Sequence, residues 1–198
     1  MWDERFAGDD YFYGTDANAF LRSQAALLPP SGTALSLAEG EGRNAVWLAQ
    51  QGLTVTAVDA SAVGLAKAGR LAAARGVSIT PVVADLATWT FPAAAFDVVV
   101  AIFIQFAPPA LRDRLFAGMI AALRPGGLLL LQGYRTEQLR YGTGGPKSAE
   151  LLYTTDLLRR SFAPLAIERL EAHDDEIVEG QGHNGMSALV DLVARKPA

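Results

Sequence analysis

The sequence predicts an α/β protein with a doubly wound, seven-stranded sheet, mostly parallel with an antiparallel C-terminal strand. Two features of the chain support this fold. Five apolar, strand-like runs alternate with helical patterns between residues 33 and 132, which is typical of a parallel sheet. Two further strand-like runs then follow each other with no helix between them. Such a pair should be antiparallel, because a parallel return needs a crossover connection.

The elements follow from apolar spacing and from Gly, Pro and capping residues. The predicted strands are 33–37, 53–58, 77–84, 96–104, 128–132, 165–172 and 187–195, with 174–185 as a loop between the last two. The predicted helices cover 17–28, 44–51, 62–76, 109–123 and 155–162. Residues 96–104 are so continuously apolar that both faces of this strand should be covered. We expect a single domain over residues 1–198, with a helical N-terminal cap at 1–30 and the sheet at 31–198.

Composition narrows the class of protein. The chain has 198 residues, 51% of them hydrophobic, which is enough for one substantial core. The formal net charge of -4 argues against a nucleic-acid or anionic-membrane partner. The chain has no cysteine, and its N-terminus lacks the pattern of a signal peptide. We therefore expect a cytoplasmic protein. We expect no metal site, because the group His173-Asp174-Asp175 has too few ligands at useful spacing.

A glycine-rich turn follows the first strand. Gly40-Glu41-Gly42-Arg43-Asn44-Ala45 opens the next helix, and Asp59 ends the second strand 19 positions after Gly40. In an open α/β sheet this arrangement holds a nucleoside cofactor: the turn approaches the ligand and the carboxylate binds the ribose hydroxyls. The turn also matches the G-x-G-x-x-A pattern of nicotinamide dinucleotide sites. A long helical segment before the turn and a carboxylate at Asp85, where an adenine amino group can be read, favour another nucleoside cofactor.

With the Phe96-Asp97-Val98-Val99 strand and Arg124-Pro125-Gly126-Gly127, these motifs resemble class I S-adenosylmethionine-dependent methyltransferases along nearly the whole chain. Tyr11-Phe12-Tyr13-Gly14, ahead of Asn18-Ala19-Phe20-Leu21, is similar to the N-terminal cap of the tellurite-resistance and thiopurine methyltransferase group. The resemblance implies a Rossmann-like fold and S-adenosylmethionine as methyl donor. It also implies a small-molecule acceptor with a thiol, oxyanion or hydroxyl group, bound by a monomer or homodimer. A NAD(P)-dependent oxidoreductase and a non-catalytic S-adenosylmethionine-binding module remain alternatives.

The resemblance also assigns roles to residues. The expected cofactor-binding residues are Ala38, Glu39, Gly40, Gly42, Asn44, Asp59, Ala60, Asp85, Leu86 and Ile102. The methionine carboxylate should bind N–H groups at the start of the Asn44 helix. Aromatic residues at the carboxyl ends of strands and in the cap are expected at the acceptor: Tyr11, Phe103, Phe106 and Tyr134. The catalytic candidates are His183, Tyr13 and Gln105, with His183 in a polar loop as a group that orients or deprotonates the acceptor.

The glycine turn departs from the family at two positions. The class usually reads aspartate-x-glycine-x-glycine-x-glycine, and this chain has Ser36 and Ala38 at the first two of these positions. Ala38 is a mild change if its φ is negative. The loss of the acid is the larger change, and we hypothesise that Glu39 or Glu41 supplies the missing charge.

Overall fold

The computed structural model describes residues 2–198 and contains the predicted seven-stranded sheet, in the order β3-β2-β1-β4-β5-β7-β6. The strands are β1 Gly32–Leu37, β2 Leu53–Asp59, β3 Thr80–Val83, β4 Phe96–Ile102, β5 Leu123–Tyr134, β6 Ala166–Glu179 and β7 His183–Arg195. The helices are α1 Trp2–Phe6, α2 Ala19–Ser23, α3 Arg43–Gln50, α4 Ala62–Ala74, α5 Pro109–Ala122 and α6 Thr155–Ser161. Short 3₁₀ turns cover Ala25–Leu27, Thr136–Arg140 and Ala149–Leu151.

The strand order reverses next to β1, which pairs in parallel with β2 on one side and β4 on the other. This arrangement leaves a crevice at the carboxyl ends of β1 and β4, where open α/β sheets bind their ligands. The last two strands are antiparallel: β7 pairs with both β5 and β6. The predicted fold class is therefore confirmed.

The central strand β4 shows why the sheet is covered on both sides. Val98 and Val100 face one core cluster, while Val99 and Ala101 face the other, and all four are essentially inaccessible to solvent. Side chains alternate across a strand, so an uninterrupted apolar run supplies both layers. Within residues 2–198, no helix is long and apolar enough to cross a membrane.

Several predicted boundaries were wrong. The expected loop 174–185 is most of a long hairpin: β6 continues to Glu179, and β7 begins at His183 after a turn at Gly180-Gln181-Gly182. The polar sequence reflects an edge strand with exposed side chains, and charged residues protect such edges from further pairing. The expected helix 17–28 is only α2 followed by a 3₁₀ turn, and the third strand covers Thr80–Val83. The strand expected at 128–132 begins earlier, because residues 123–127 form an irregular start of β5.

Candidate active site

A cavity of about 680 Å³, called the main cavity below, opens at the carboxyl ends of β1, β2 and β4. The predicted site residues that line it are Tyr13, Ala38, Glu39, Gly40, Asn44, Asp59, Ala60, Asp85, Leu86, Ile102, Phe103, Gln105, Phe106, Tyr134 and His183. A second cavity of about 450 Å³ lies between residues 13–23 and the β6–β7 hairpin, and its lining does not include the glycine turn or Asp59. The main cavity is therefore the candidate site.

Two predicted site residues lie outside its lining. Tyr11 donates a hydrogen bond from its hydroxyl to the Lys67 carbonyl oxygen (3.1 Å), and the Lys67 ammonium lies 5.1 Å from the centre of its ring. Tyr11 thus anchors the N-terminal cap to α4, and the expectation that it contacts the substrate has no support in its position. Gly42 has a φ of 95°, and a Cβ atom there would lie 2.5 Å from the Ala68 Cβ. Its role is close packing of α3 against α4.

The carboxylate of Glu39 lies directly beside Ser36, whose hydroxyl donates a hydrogen bond to it. The same carboxylate accepts hydrogen bonds from the backbone N–H groups of Asn44 (3.0 Å) and Ala45 (2.8 Å), in the first turn of α3. Burial raises the pKa of Glu39 to about 7, although these hydrogen bonds favour the charged form. Glu39 therefore brings a carboxylate to the position where the family carries its acid, and it caps α3.

This cap changes which ligands the turn can hold. The pyrophosphate of a dinucleotide binds free N–H groups at the helix N-terminus. Here the N–H groups of Asn44 and Ala45 are already bonded to the Glu39 side chain, so they are not free to bind a phosphate. The geometry therefore argues against a dinucleotide cofactor. It also argues against our expectation that these N–H groups bind the methionine carboxylate.

Ala38, the second departure from the family pattern, has a φ of 48°. The expectation of a mild change depended on a negative φ, and that condition is not met. A left-handed conformation costs an alanine roughly 1–2 kcal/mol, because its Cβ crowds the following carbonyl oxygen. The turn thus holds backbone strain at the edge of the main cavity.

Asp59, at the end of β2, connects the glycine turn to α4. Its carboxylate accepts hydrogen bonds from the N–H groups of Gly40 (2.8 Å) and Ser61 (2.7 Å), and burial raises its pKa. It lines the cavity from this fixed position, as a ribose-binding carboxylate would. Asp85 also lines the cavity, but its carboxylate accepts from the Ala87 N–H (2.8 Å) and so also orders the turn that follows β3.

Glu41 has a different role from Glu39. It forms a buried ion pair with Lys67 (2.5 Å) and accepts a hydrogen bond from the Phe12 N–H (2.7 Å). Lys67 also donates to the carbonyl oxygens of Gly8 (2.8 Å) and Asp10 (2.6 Å). The pair therefore holds the N-terminal cap against α4 and positions Phe12 and Tyr13 at the cavity.

Four rings form the other end of the cavity. His183 stacks between Tyr13 (4.7 Å between ring centres) and Phe103 (4.3 Å), and Phe103 in turn stacks on Tyr134 (4.6 Å). The Tyr134 hydroxyl lies 2.7 Å from the Nδ1 atom of His183. Phe103 has a φ of 54°, an unfavourable conformation of the kind that clusters at functional sites. This group of Tyr13, Phe103, Tyr134 and His183 is called the aromatic box below.

The environment of His183 differs from the expected polar loop. It is the first residue of β7, is only 8% exposed, and has a pKa lowered to about 3, chiefly by burial. A histidine this weakly basic is neutral at physiological pH and is a poor general base. Burial also raises the pKa of the Tyr134 phenol, so this hydroxyl keeps its proton. His183 can therefore hydrogen-bond an acceptor, but it is unsuited to deprotonating one.

Gln105 is buried and its amide is occupied. Its Nε2 donates to the carbonyl oxygens of Tyr134 (2.8 Å) and Leu151 (3.2 Å), and its Oε1 accepts from the Tyr134 N–H (2.5 Å). Gln105 thus behaves as a positioning residue that fixes Tyr134 rather than as a catalytic one.

The sequence did not reveal several lining residues, including Trp2, Arg5 and Phe6 of α1 and Gly182 of the hairpin turn. Helix α1 has only five residues, too few for a periodic pattern. A Cβ at Gly182 would lie 2.2 Å from the Tyr13 ring, so only glycine allows this contact. In the sequence, the Gly-x-Gly spacing at 180–182, next to a histidine, was the signal that could have indicated Gly182 as a site residue.

Comparisons with known proteins agree with this geometry. Residues 34–127 match the family described as a methyltransferase domain. TehB from Haemophilus influenzae has a TM-score of 0.76 at 16% identity, covering 99% of this chain and 67% of that chain. The N-methyltransferase NodS from Bradyrhizobium japonicum WM9, in complex with S-adenosyl-L-homocysteine, has a TM-score of 0.71 at 16% identity, covering 100% and 97%. A third structure comes from work on the conversion of a disulfide bond into a thioacetal group during echinomycin biosynthesis. It has a TM-score of 0.79 at 20% identity, covering 98% of this chain and 88% of that chain.

Residues 34–127 therefore carry a methyltransferase domain, within a fold shared with S-adenosylmethionine-dependent methyltransferases. No protein of curated function matches its sequence. The residues of this domain fit the cofactor: Asp59 is fixed at the rim, the backbone at 38–40 lines the cavity, and the aromatic box lies beyond it. When bound, S-adenosylmethionine supplies a methyl group on a positively charged sulfonium. The protein's part is then alignment of the acceptor and exclusion of water.

Proposed function

We propose that this methyltransferase acts on a small molecule with a thiol, oxyanion or hydroxyl group. The supporting observation is that the aromatic box and the glycine turn line one cavity of about 680 Å³. Pockets of about 300–1,000 Å³ hold a single drug-sized ligand. A cavity of this size that also accommodates the cofactor leaves room for only a compact acceptor.

The aromatic box is the proposed acceptor site. The faces of Phe103 and Tyr134 stabilise a cation by their ring quadrupoles and exclude water from the reacting atoms. Tyr13 comes from the N-terminal cap and forms a wall opposite Phe103, with His183 between them. Phe106, 39% exposed, lies at the rim. Acceptor binding at this place would bring its nucleophilic atom towards the methyl group.

The neutral state of His183 favours a particular kind of acceptor. Among residues 2–198, the Nε2 atom of His183 makes no hydrogen bond, while Nδ1 is bonded to Tyr134. His183 can use Nε2 to orient an acceptor, but its lowered pKa makes it a weak proton acceptor. An acceptor whose nucleophilic atom is already anionic needs no base. Oxyanions, and thiols that react as thiolates, therefore suit the site better than hydroxyl compounds.

We further propose that the protein works in the cytoplasm as a monomer or homodimer, without a nucleic-acid or membrane partner. The net charge of -4 supports the last part of this proposal, because nucleic acids and anionic membranes attract basic surfaces.

Methyl transfer from labelled S-adenosylmethionine to a panel of thiols, oxyanions and hydroxyl compounds tests the proposal. We expect His183→Asn and Phe103→Leu to lower kcat for the active acceptor at least about 10-fold, with the affinity for S-adenosylhomocysteine unchanged. His173→Asn is the matched control, because His173 bonds Asp191 outside the main cavity. Cofactor binding without transfer to any acceptor would instead support a non-catalytic binding module.

A further inference from the structure

Most charged side chains of the main cavity are already bound to other parts of the protein. Of the described residues 2–198, those that line it with a charge are Arg5, Glu39, Arg43, Asp59 and Asp85. The three carboxylates accept hydrogen bonds from backbone N–H groups, and Arg43 is paired with a carboxylate of the hairpin. Within the same range, Arg5 forms no ion pair. Its positive charge is therefore available to a ligand in the cavity.

Arg5 belongs to α1, and its guanidinium is held by rings of the N-terminal cap. The Cζ atom lies over the Trp2 ring (4.7 Å to the ring centre) and the Phe12 ring (5.3 Å), and Nη1 donates a hydrogen bond to the Tyr13 hydroxyl (3.2 Å). Contacts with ring faces leave the N–H groups at the edge of a guanidinium unused. In the part of the chain from residue 2 to 198, Nε and Nη2 have no hydrogen-bond partner, so these donors can bind an anion.

Tyr13 connects Arg5 to the aromatic box. Its hydroxyl accepts the hydrogen bond from Arg5, and its ring stacks on His183 at 4.7 Å. Burial is the main cause of the lowered pKa of His183, and the positive charges of Arg43 and Arg5 add to it. The charge of Arg5 therefore acts at the acceptor end of the cavity, where His183 offers only a neutral ring.

We propose that Arg5 binds the reacting atom of the acceptor as an anion, either a thiolate sulfur or an oxyanion oxygen. This inference rests on the proposed function and adds the residue that selects the anionic form. An acceptor thiol releases its proton to solvent on binding. The anionic atom then forms a bond to the methyl carbon while the carbon–sulfonium bond breaks, and the electron pair of that bond stays on the departing sulfur. No protein group has to take up a proton in this step.

Calorimetric titration of the protein saturated with S-adenosylhomocysteine tests the role of Arg5 with two probes. Benzenethiol is a compact thiol, used in a buffer in which it is ionised, and thioanisole is its uncharged, methylated counterpart. Loss of a hydrogen bond to a charged group corresponds to about 10- to 150-fold in affinity, and the exposure of Arg5 to solvent favours the lower end. We expect Arg5→Met to weaken benzenethiol about 10-fold and thioanisole less than about threefold.

Two further variants separate charge from structure. Arg5→Lys keeps the positive charge and should recover most of the affinity for benzenethiol. Arg70→Met, at an exposed position of α4 outside the main cavity, is the control and should change neither probe. An equal loss for both probes in Arg5→Met would overturn the proposal and leave Arg5 as a structural support for Tyr13.

Other outcomes would also overturn the proposal. Unchanged affinity for benzenethiol in Arg5→Met, or no binding of benzenethiol by the wild type, would contradict anion binding by Arg5. A loss of affinity for S-adenosylhomocysteine in Arg5→Met would assign Arg5 to the cofactor instead. The titration does not require turnover, so failure of the methyl-transfer panel would refute the proposed function separately. Transfer by the wild type, with benzenethiol binding unchanged in Arg5→Met, would refute only the role of Arg5.

Discussion

The hydroxyl of Ser36 donates a hydrogen bond to the carboxylate of Glu39, and both side chains are buried. The family carries its acid at the position of Ser36, so the chain supplies a carboxylate to the same place from three residues further on. The carboxylate also caps α3. The move of the acid from position 36 to Glu39 thus explains the altered motif. It also explains why the N–H groups at the N-terminus of α3 are not free to bind a ligand.

The first prediction separates the two glutamates of the turn. Glu39→Gln keeps an oxygen that can accept from Asn44 and Ala45 but removes the carboxylate of Glu39 from the lining of the main cavity. We expect the affinity for S-adenosylhomocysteine to fall about 10-fold, the effect of a charged hydrogen bond. Glu41→Gln should change it less than about threefold, because Glu41 pairs with Lys67. Calorimetry on both variants measures this, and wild-type affinity in both would refute the compensation by Glu39.

A second prediction concerns the strained backbone at Ala38. Ala38→Gly should raise the free energy of unfolding by up to about 1 kcal/mol, because glycine adopts a φ of 48° without crowding, which outweighs its larger entropy loss. Ala73→Gly, on the exposed face of α4, should instead lower it by about 1 kcal/mol. Urea unfolding gives both values. Destabilisation of similar size in both variants would contradict the strain at Ala38.

A third prediction uses the opposite pKa shifts of two buried groups. The pKa of His183 falls from 6.5 to about 3 on folding, so on acidification the unfolded chain takes up a proton first. Its contribution to stability is present above pH 6.5 and is lost between pH 6.5 and 3. The pKa of Glu39 rises from 4.5 to about 7, so its contribution is present below pH 4.5 and is lost as the pH rises to 7.

Chemical denaturation over pH 3–8 measures these contributions. The free energy of unfolding of wild type minus that of His183→Asn should rise with pH up to 6.5 and then level off. The same difference for Glu39→Gln should fall by about 3 kcal/mol between pH 4.5 and 7. A difference that does not vary with pH for either variant would show that the corresponding group titrates normally in the folded protein.

The fourth prediction concerns the attachment of the N-terminal cap. Lys67→Met leaves the Glu41 carboxylate buried without its cation, which should lower the free energy of unfolding by about 3–5 kcal/mol. The double variant Lys67→Met, Glu41→Gln should recover part of this loss, because it no longer buries an unpaired charge. A double-mutant cycle in urea measures the coupling. Strictly additive losses would mean that the pair contributes no coupling energy.

Patterns of neighbouring residues predicted the fold and the part of the site formed by the glycine turn. Apolar runs such as that of β4 and the turn before α3 depend on nearby residues, so they can be read directly from the sequence. The burial of His183 arises instead from packing against Tyr13 and Phe103, far away in the chain. No local pattern records such contacts, and a polar edge strand therefore resembled a loop.

The sequence also left the details of the glycine turn undecided, because they depend on where its side chains and backbone point in the folded protein. The sequence placed Glu39 and Glu41 in the same turn but did not show that one bonds Ser36 and the other Lys67. The φ of Ala38 also depends on how the turn closes against its neighbours. Such choices are set by the assembled fold rather than by residue type.

The central claim is that the glycine turn and Asp59 hold S-adenosylmethionine rather than a dinucleotide. Thermal unfolding with S-adenosylmethionine, S-adenosylhomocysteine or NAD tests it most directly. At about 100 times the dissociation constant, a ligand adds about 2.7 kcal/mol, which corresponds to roughly 5–11 °C for a chain of this size. We predict this rise with both S-adenosyl compounds and none with NAD, and its loss at the same ligand concentration in Asp59→Ala but not in the surface control Asp113→Ala. A rise with NAD alone, or an undiminished rise in Asp59→Ala, would contradict the account.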